Sequence, residues 1–491
     1  MKQLMTILAL VCISANASAQ TLNINQGSVR YAIPASQLGQ AVVSGTTITI
    51  GSKTYNTSDI SNMTVDDSVV EDNTVNVTYD NGAQVTIAGN IAHLVEAKVN
   101  GAHVTLLQDA SVSDEIKYTL TGNSDNGSFY MDGQYKCTVE LAGVTLHNPD
   151  SAAINIADGK RIKVVLKEGT TNSLSDGITG ANDGSTAHNA CLYFGGHPEF
   201  SGAGSLTIAG NVKHALTSDE YCQVKKSVGS ITVSSAVGDG FHIGQYFLLE
   251  GGDIRITASG DGVDVGKKKD ETAENNGKVM VHGGSLTVVS DGDAMRGVKC
   301  DDSFEISAGN LDITVKGDAV YDEKEDDASS AAAIKPSASF TMTGGTVKLL
   351  ATGKGGKLVN SDGVVTISGG KLSGAACGDI YVYSATVDSK AHGIKCDADI
   401  IINGGEVYIA ASEDEGKAFK TDFVFAINGG TVMGIGGKKS TPSADSAQGF
   451  KEYKDVVVKS GATVEYDGVS FTVPAEYSNT EAKVVVSKPG L

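Results

Sequence analysis

GGDIRIT at residues 251–257, GGSLTVV at 283–289 and GNLDITV at 309–315 are versions of one phrase, repeated as GGTVKLL at 344–350, GGEVYIA at 404–410 and GGTVMGI at 429–435. Each places glycine, the residue that accepts positive φ without steric cost, ahead of a short run alternating apolar and polar side chains. That alternation is the two-residue period of a strand. Several neighbouring copies begin about 25 residues apart, and a fixed period in this range marks a stack of supersecondary units.

A second series runs in phase with the first. A small residue followed by an apolar one recurs as Ala153-Ile154, Ala190-Cys191, Ala215-Leu216, Gly240-Phe241, Gly262-Val263 and Gly297-Val298, then as Ala333-Ile334, Gly393-Ile394, Ala418-Phe419 and Gly449-Phe450. Lys357-Leu358 stands at the same phase with lysine in the small-residue place. A single coil of about 25 residues cannot bury its apolar face, whereas stacked coils set equivalent apolar residues above one another about 4.8 Å apart. The pattern therefore predicts an all-β protein built as a parallel β-helix. Some coils are lengthened by polar insertions of about ten residues, with the clearest insertions at Gly266–Lys278, Tyr321–Ala332 and Gly436–Ala447.

Composition agrees. The chain has 491 residues, of which 60 are glycine, 7 proline and none tryptophan, and no long window shows the 3.6-residue period of an amphipathic helix. The expected organisation is a signal peptide over 1–19, a small N-terminal β region over 20–115, the β-helix over 116–455 and a C-terminal β cap over 456–491. The leader reading rests on Lys2, the apolar stretch Ile7–Ala15 and the small-residue pattern Ala17-Ser18-Ala19. It makes the protein exported: secreted, periplasmic or at the cell surface. No stretch is long and apolar enough to be read as a membrane span. The net charge of −20 argues against nucleic acid, whose binding needs a lysine and arginine excess to release phosphate counterions.

Beyond the leader, six cysteines remain: Cys137, Cys191, Cys222, Cys300, Cys377 and Cys396. Cys300 and Cys396 fall at equivalent positions about three rungs, or roughly 14 Å, apart, too far for a disulfide. Cys191 takes an inward apolar place. Few or no disulfides are expected.

In a strand, the residue after an inward one points outward. Stepping one position along the second series gives Asn155, Leu192, Thr217, His242, Asp264, Lys299, Lys335, Val359, Lys395, Lys420 and Lys451. The lysines Lys299, Lys335, Lys395, Lys420 and Lys451 should form a strip on one outer face. Upstream of it lie turns carrying Asp239, Asp261, Asp264, Asp291, Asp293 and Asp318. Stacked carboxylates repel unless cations or lysines intervene, and Ca²⁺, which takes six to eight oxygens in flexible geometry, suits them.

Lysines beside cation-bridged carboxylates suit an extended polyanion such as a uronic-acid polysaccharide. The competing reading, in which these lysines and aspartates merely neutralise one another on a solvated face, stays open. So does an enzyme: a polysaccharide lyase would eliminate across a uronate with a lysine base and Ca²⁺. A surface adhesin with a protein partner is a third possibility. Tyr381, Tyr383 and Tyr408 could stack on sugars, although tyrosine in strands is usually structural. His242, His282 and His392 lack a catalytic motif and read as structural.

EGTTNSLSDG at 168–177, the preceding VELAGVTLHNPDSAAINIADGKRIKVVL at 139–166, the GDG turns at Gly238 and Gly260, and GVKCD (297–301) with GIKCD (393–397) resemble the bacterial exported carbohydrate-binding β-helix family. The resemblance covers roughly residues 118–455. It implies a right-handed parallel β-helix, non-catalytic binding of acidic, polygalacturonate- or pectin-like polysaccharide, and bound Ca²⁺. The family's fold is similar to that of pectate-type lyases, but lyase activity is not its established feature. The sequence departs from the pattern at Gly317-Asp318-Ala319, which loses the second glycine, and at Gly353-Lys354-Gly355, where lysine replaces aspartate.

Overall fold

The computed structural model describes residues 20–177 and 190–491; the leader read over 1–19 lies outside them. The protein is all-β with almost no helix: the described helical turns are the 3-10 segments Ala35–Gln37 and Gly89–Ile91. The chain divides into two compact units, residues 1–207 and 208–491.

The first unit opens antiparallel. Thr21–Gln26 pairs with Val29–Pro34 and with Asn62–Asp66, and Val42–Ser44, Thr47–Ile50 and Lys53–Asn56 form a meander. Leu22, Ile24, Ile33, Ile48 and Tyr55 alternate inward and are almost fully buried. Pairing then turns parallel. Ile116–Ser124 lies between Thr74–Asp80 and Cys137–Asn148, and Gly127–Asp132 lies between Ala102–Gln108 and Ile154–Ile156. Parallel stacking thus reaches upstream of residue 116.

The second unit is a set of parallel ladders in which each strand pairs with its equivalent about one period later. One runs through β1 (His214–Ser218), β2 (Phe241–Ile243), β3 (Val263–Val265), β4 (Arg296–Cys300), β5 (Ala332–Pro336), β6 (Lys357–Ser361), β7 (His392–Cys396) and β8 (Phe419–Lys420). Another is formed by the glycine-led phrases, whose residues Ile254, Leu286, Leu311, Val347, Leu372, Val407 and Val432 are successive register partners. All seven are buried. A third stacks Phe247, Val279, Phe304, Phe340, Val365, Ile400 and Phe425, with the Phe304 and Phe340 rings face to face at 5.5 Å. Burying one aliphatic side chain stabilises by about 1.5–3 kcal/mol, so these columns supply most of the unit's cohesion.

The glycine pairs are needed for close approach as well as for turning. Gly430 has φ +90°, and a Cβ there would lie 2.6 Å from the Gly405 carbonyl oxygen; Gly405, at φ +85°, would meet the Gly370 oxygen at 2.8 Å. At the far end, Asn479–Ser487 pairs antiparallel with both Thr431–Gly436 and Phe450–Val458, and Thr463–Tyr466 with Val469–Thr472 forms a hairpin. All six described cysteines are free thiols.

Two outward assignments are corrected. Val359 pairs with Ile334 and Ile394 and is buried, so Asn360 is the outward residue of that coil. Leu192 pairs with Ile154 and is buried, so it takes the ladder place assigned to Cys191, which is itself a buried free thiol as expected. A dipeptide rule of small-then-apolar is ambiguous where two apolar residues follow one another, as in Cys191-Leu192 and Leu358-Val359.

Candidate functional site

The parallel register of β1–β8 sorts polar side chains into two columns. The first, one residue past the buried position, reads Thr217, His242, Asp264, Lys299, Lys335, Asn360, Lys395 and Lys420. Four of the five expected lysines therefore share one column, with Asn360 where Val359 was expected. Lys451 does not belong to it: it lies on the antiparallel strand Phe450–Val458, opposite Val486, and pairs with Asp467 at 2.8 Å.

The second column, two residues before the buried position, holds Arg296, Ala332, Lys357 and His392 on β4–β7, with His214, Asp239 and Asp261 at the same phase on earlier coils. His214, Asp239, Asp261 and His392 accept backbone amides from the next repeat. The Asp239 amide donates to His214 Nδ1 at 3.0 Å, the Asp261 amide to Asp239 Oδ1 at 2.9 Å, the Arg296 amide to Asp261 Oδ1 at 2.6 Å and the Lys417 amide to His392 Nδ1 at 3.1 Å. The turn aspartates of another edge do the same, Asp293 accepting from the Asp318 amide and Asp318 from the Lys354 amide at 2.9 and 2.7 Å. Asp291 is exposed.

Charge along the columns is segregated. Around β1–β3, Asp239 lies 2.9 Å from His242 Nδ1 and 3.1 Å from His214 Nδ1, and Asp264 lies 3.3 Å from His242. Burial alone would raise the Asp239 carboxyl, but its hydrogen bonds to His214 and His242 outweigh burial and hold it well below the usual carboxylate range. Burial pushes Asp261 up to about 6. Hydrogen bonds to Asp239 and Asp264 raise His242 to about 9.

Around β4–β8 the columns turn basic and floor a cleft of about 650 Å³. Lys335, Lys395 and Lys420 come from the first column, and Arg296, Lys357 and His392 from the second. The walls are two inserted hairpins, Val320–Asp322 with Asp327–Ser329 and Tyr381–Val382 with Asp388–Ser389. They contribute Asp322, Glu325, Asp327 and Asp388. Their Tyr321 and Tyr383 rings stack at 3.9 Å and 3°. Lys357 ties the hairpins to the floor: its Nζ donates to Ser330 Oγ (3.0 Å), Gly355 O (2.6 Å), Ser389 Oγ (2.7 Å) and Lys390 O (2.9 Å). Burial, with the Lys395 charge second, pushes Lys357 down to about 7, and burial with the surrounding lysines lowers His392 to about 3.

The floor lysines pair with carboxylates: Lys335 with Asp362, Lys395 with Asp397 at 2.8 Å, and Lys420 with Asp422. Those partners are exposed, and such surface pairs contribute about 0–1 kcal/mol, so an incoming carboxylate can replace them. Two buried lining atoms, Arg296 Nε and Asn360 Oδ1, have no hydrogen-bond partner in the protein, an arrangement that calls for an explanation in a native fold.

Lys357 was missed as a site residue, although lysine in a series of alanine and glycine was a visible departure. The hairpin from Tyr381 to Ser389 was missed because no composition shift announces it.

The family model described as "carbohydrate-binding domain-containing protein" matches residues 107–380. A relative of that description from Acetivibrio thermocellus is 27% identical over 147 residues, 28% of this chain and 50% of the relative, so the chain spans half that relative's length. A solved structure described as the polysaccharide lyase-like protein from C. thermocellum, gadolinium derivative, is 20% identical with a TM-score of 0.41, covering 61% of this chain and 100% of that one.

Proposed function

The chain belongs to the carbohydrate-binding domain-containing family, and on that premise we propose that it is an exported protein that binds an acidic, polygalacturonate-like polysaccharide in the lysine-floored cleft without cleaving it. The observation that carries the reading is the column Lys335, Asn360, Lys395 and Lys420 at successive strands, over which a polymer can lie with its carboxylates exchanging for Asp362, Asp397 and Asp422. The β4–β8 ladder is read as the flank of a right-handed parallel β-helix, the scaffold that keeps such a column straight. Tyr321 and Tyr383 brace the wall.

Ca²⁺ is proposed as a bridging ion. Asp239, Asp261, Asp293 and Asp318 each spend one carboxylate oxygen on a backbone amide, so the aspartates present single oxygens and no all-protein cage of six to eight. Glycan carboxylates and water would complete the shell. Asp293 and Asp318, each accepting a backbone amide, and the exposed Asp291 are the turns proposed for it.

Lyase action is the other outcome of the test. A base must reach the sugar: Lys299 and Lys395, the lysines such a reaction would call on, are paired with Asp264 and Asp397 at 2.8 Å, and Lys357 is 4% exposed. Incubation with polygalacturonate and Ca²⁺ should give retention on the polymer with no ultraviolet-absorbing unsaturated product. Such a product would replace binding with elimination, and no retention at low salt would remove the reading altogether.

A further inference from the structure

The β8 coil departs from the repeat at one turn. Three residues past Lys335, Asn360, Lys395 and Lys420 stand Ala338, Gly363, Ala398 and Phe423. Two residues further on, Phe340, Val365, Ile400 and Phe425 are successive register partners, so the four occupy one turn position. Small residues fill it where coils stack: a Cβ at Gly363 would run into the Ala338 carbonyl oxygen. On the β8 coil the same position carries a phenylalanine that is 66% exposed. Its backbone is anchored, the Phe423 amide donating to Thr421 Oγ1 and the Val424 amide to Asp399 Oδ1, both at 3.0 Å. An aromatic ring held in water on a fixed turn forgoes its burial energy, and nothing in the repeat requires it.

A hollow opens beside that ring. The segment beyond β8 bonds to this coil at two points, where Ser440 Oγ accepts the Phe419 amide at 3.0 Å and the Phe425 carbonyl accepts the Ser443 amide at 2.6 Å. A space of about 290 Å³ lies there, lined by Lys417, Thr421, Phe423, Val424, Thr441 and Ser443 among others. It adjoins the cleft: Lys420 belongs to the cleft floor and Thr421 to the hollow, and the Lys417 amide donates to His392 of the floor. Lys417 adds charge to the apolar ring. It continues the second column past His392, two residues before the buried Phe419. Unlike Lys395 and Lys420, its ammonium forms no ion pair among the described residues. Behind the hydrogen bond and charge of Lys420, the Lys417 charge helps hold the exposed Asp422 carboxyl below its ordinary value, so the hollow carries the cleft's positive field onward.

We propose that this hollow is a subsite that seats one uronic-acid residue, with the C–H face of the sugar ring on Phe423 and its carboxylate on Lys417. The choice of a uronate rests on the glycan reading of the cleft; the hollow and its exposed ring do not. The C–H groups on one face of a pyranose carry partial positive charge, which the negative face of an aromatic ring attracts. The unpaired ammonium takes the carboxylate through charge-assisted hydrogen bonds, and Thr441 and Ser443 stand where ring hydroxyls need partners. An apolar peptide segment fits less well, because most of the lining is polar or charged.

The test uses the whole chain and monosaccharides, so that it does not depend on the cleft holding a polymer. Saturation-transfer nuclear magnetic resonance should show transfer to galacturonate and to galactose, with galacturonate bound at least about three-fold more tightly. Phe423→Ala should remove most of the transfer to both sugars, and Phe423→Tyr should keep it. Lys417→Gln should bring galacturonate down to galactose, while Lys395→Ala in the cleft should leave both signals unchanged. With oligogalacturonate, Phe423→Ala should weaken binding about three- to ten-fold, multiplying the loss from Lys395→Ala. A monosaccharide signal lost in Phe423→Ala supports the subsite even if the polymer is not retained, in which case only the cleft reading falls. Polymer retained by Phe423→Ala and Lys417→Gln as by the wild type overturns the subsite and leaves the cleft reading standing. No transfer to either sugar also overturns it, as does self-association that disappears in Phe423→Ala, which would assign the ring to a protein contact.

Discussion

Lys299 and Lys335 are direct register partners on adjacent parallel strands, yet each ammonium is matched to a carboxylate on a different coil. Lys299 reaches back to Asp264 and Lys335 forward to Asp362. Two like charges one rung apart are tolerated because each has an opposite charge closer than the other lysine's backbone. The pairs differ in exposure: Asp264 is mostly buried and Asp362 half-exposed, so on the proposed reading Lys299 is fixed while Lys335 is exchangeable.

The exchangeable lysines should therefore set polymer affinity. Lys335→Ala, Lys395→Ala and Lys420→Ala should each weaken polygalacturonate binding about two- to five-fold, and the triple variant more steeply. Lys451→Ala, off the column, should change nothing. Affinity electrophoresis at low and high salt checks both, with the wild-type advantage shrinking as salt rises.

Lys357 acts on the cleft through the hairpins. Lys357→Met leaves the Ser330 and Ser389 hydroxyls and the Gly355 and Lys390 carbonyls without their shared donor, costing about 1–3 kcal/mol. The loss should be local. Hydrogen exchange should quicken over residues 320–331 and 381–391 while the Ile254–Val432 column keeps its protection.

Asp158 gives a pH dependence in the first unit. It is buried, accepts the Lys160 amide on Oδ1 at 3.0 Å and has no partner on Oδ2; burial pushes its carboxyl up to about 6. A raised carboxyl favours the protonated folded state, so this contribution is fully present below the unfolded value of about 3.9 and is lost as pH climbs through about 6. Asp158→Asn, which keeps the amide acceptor, should stabilise the unit at pH 7 by about 1–3 kcal/mol and by little at acid pH. Urea denaturation at both pH values measures it.

Glycine substitutions separate turning from crowding. Gly461 has φ +66° with open space around it, whereas Gly430 has φ +90° and the Gly405 oxygen 2.6 Å from a new Cβ. Gly461→Ala should cost about 1 kcal/mol from backbone strain, and Gly430→Ala clearly more, because two backbones must separate. Thermal unfolding of the pair shows whether the coils touch there.

The repeat was legible because stacking forces chemistry to repeat: the phrase at Gly251, Gly283, Gly344, Gly404 and Gly429 reports a shared backbone contact. The lysine column was legible for the same reason. Lys451 was misplaced because Gly449-Phe450 imitates the repeat locally while its strand turns antiparallel, a choice made by pairing with Asn479–Ser487 and not by its own residues. His214 and Lys357 were hidden two residues before the buried position, a phase the outward-step rule does not visit. The Tyr321–Tyr383 stack joins residues 62 apart in sequence (383 minus 321), a pairing that no local pattern encodes.

The antiparallel strand Asn479–Ser487 has a consequence for how copies of the chain meet one another. By occupying the open hydrogen-bonding rim of Thr431–Gly436, it denies that rim to a neighbouring molecule, whose own strands would otherwise continue the register. The strand that covers it is in turn covered by Phe450–Val458, so the end of the parallel ladder is closed by antiparallel pairing within the chain.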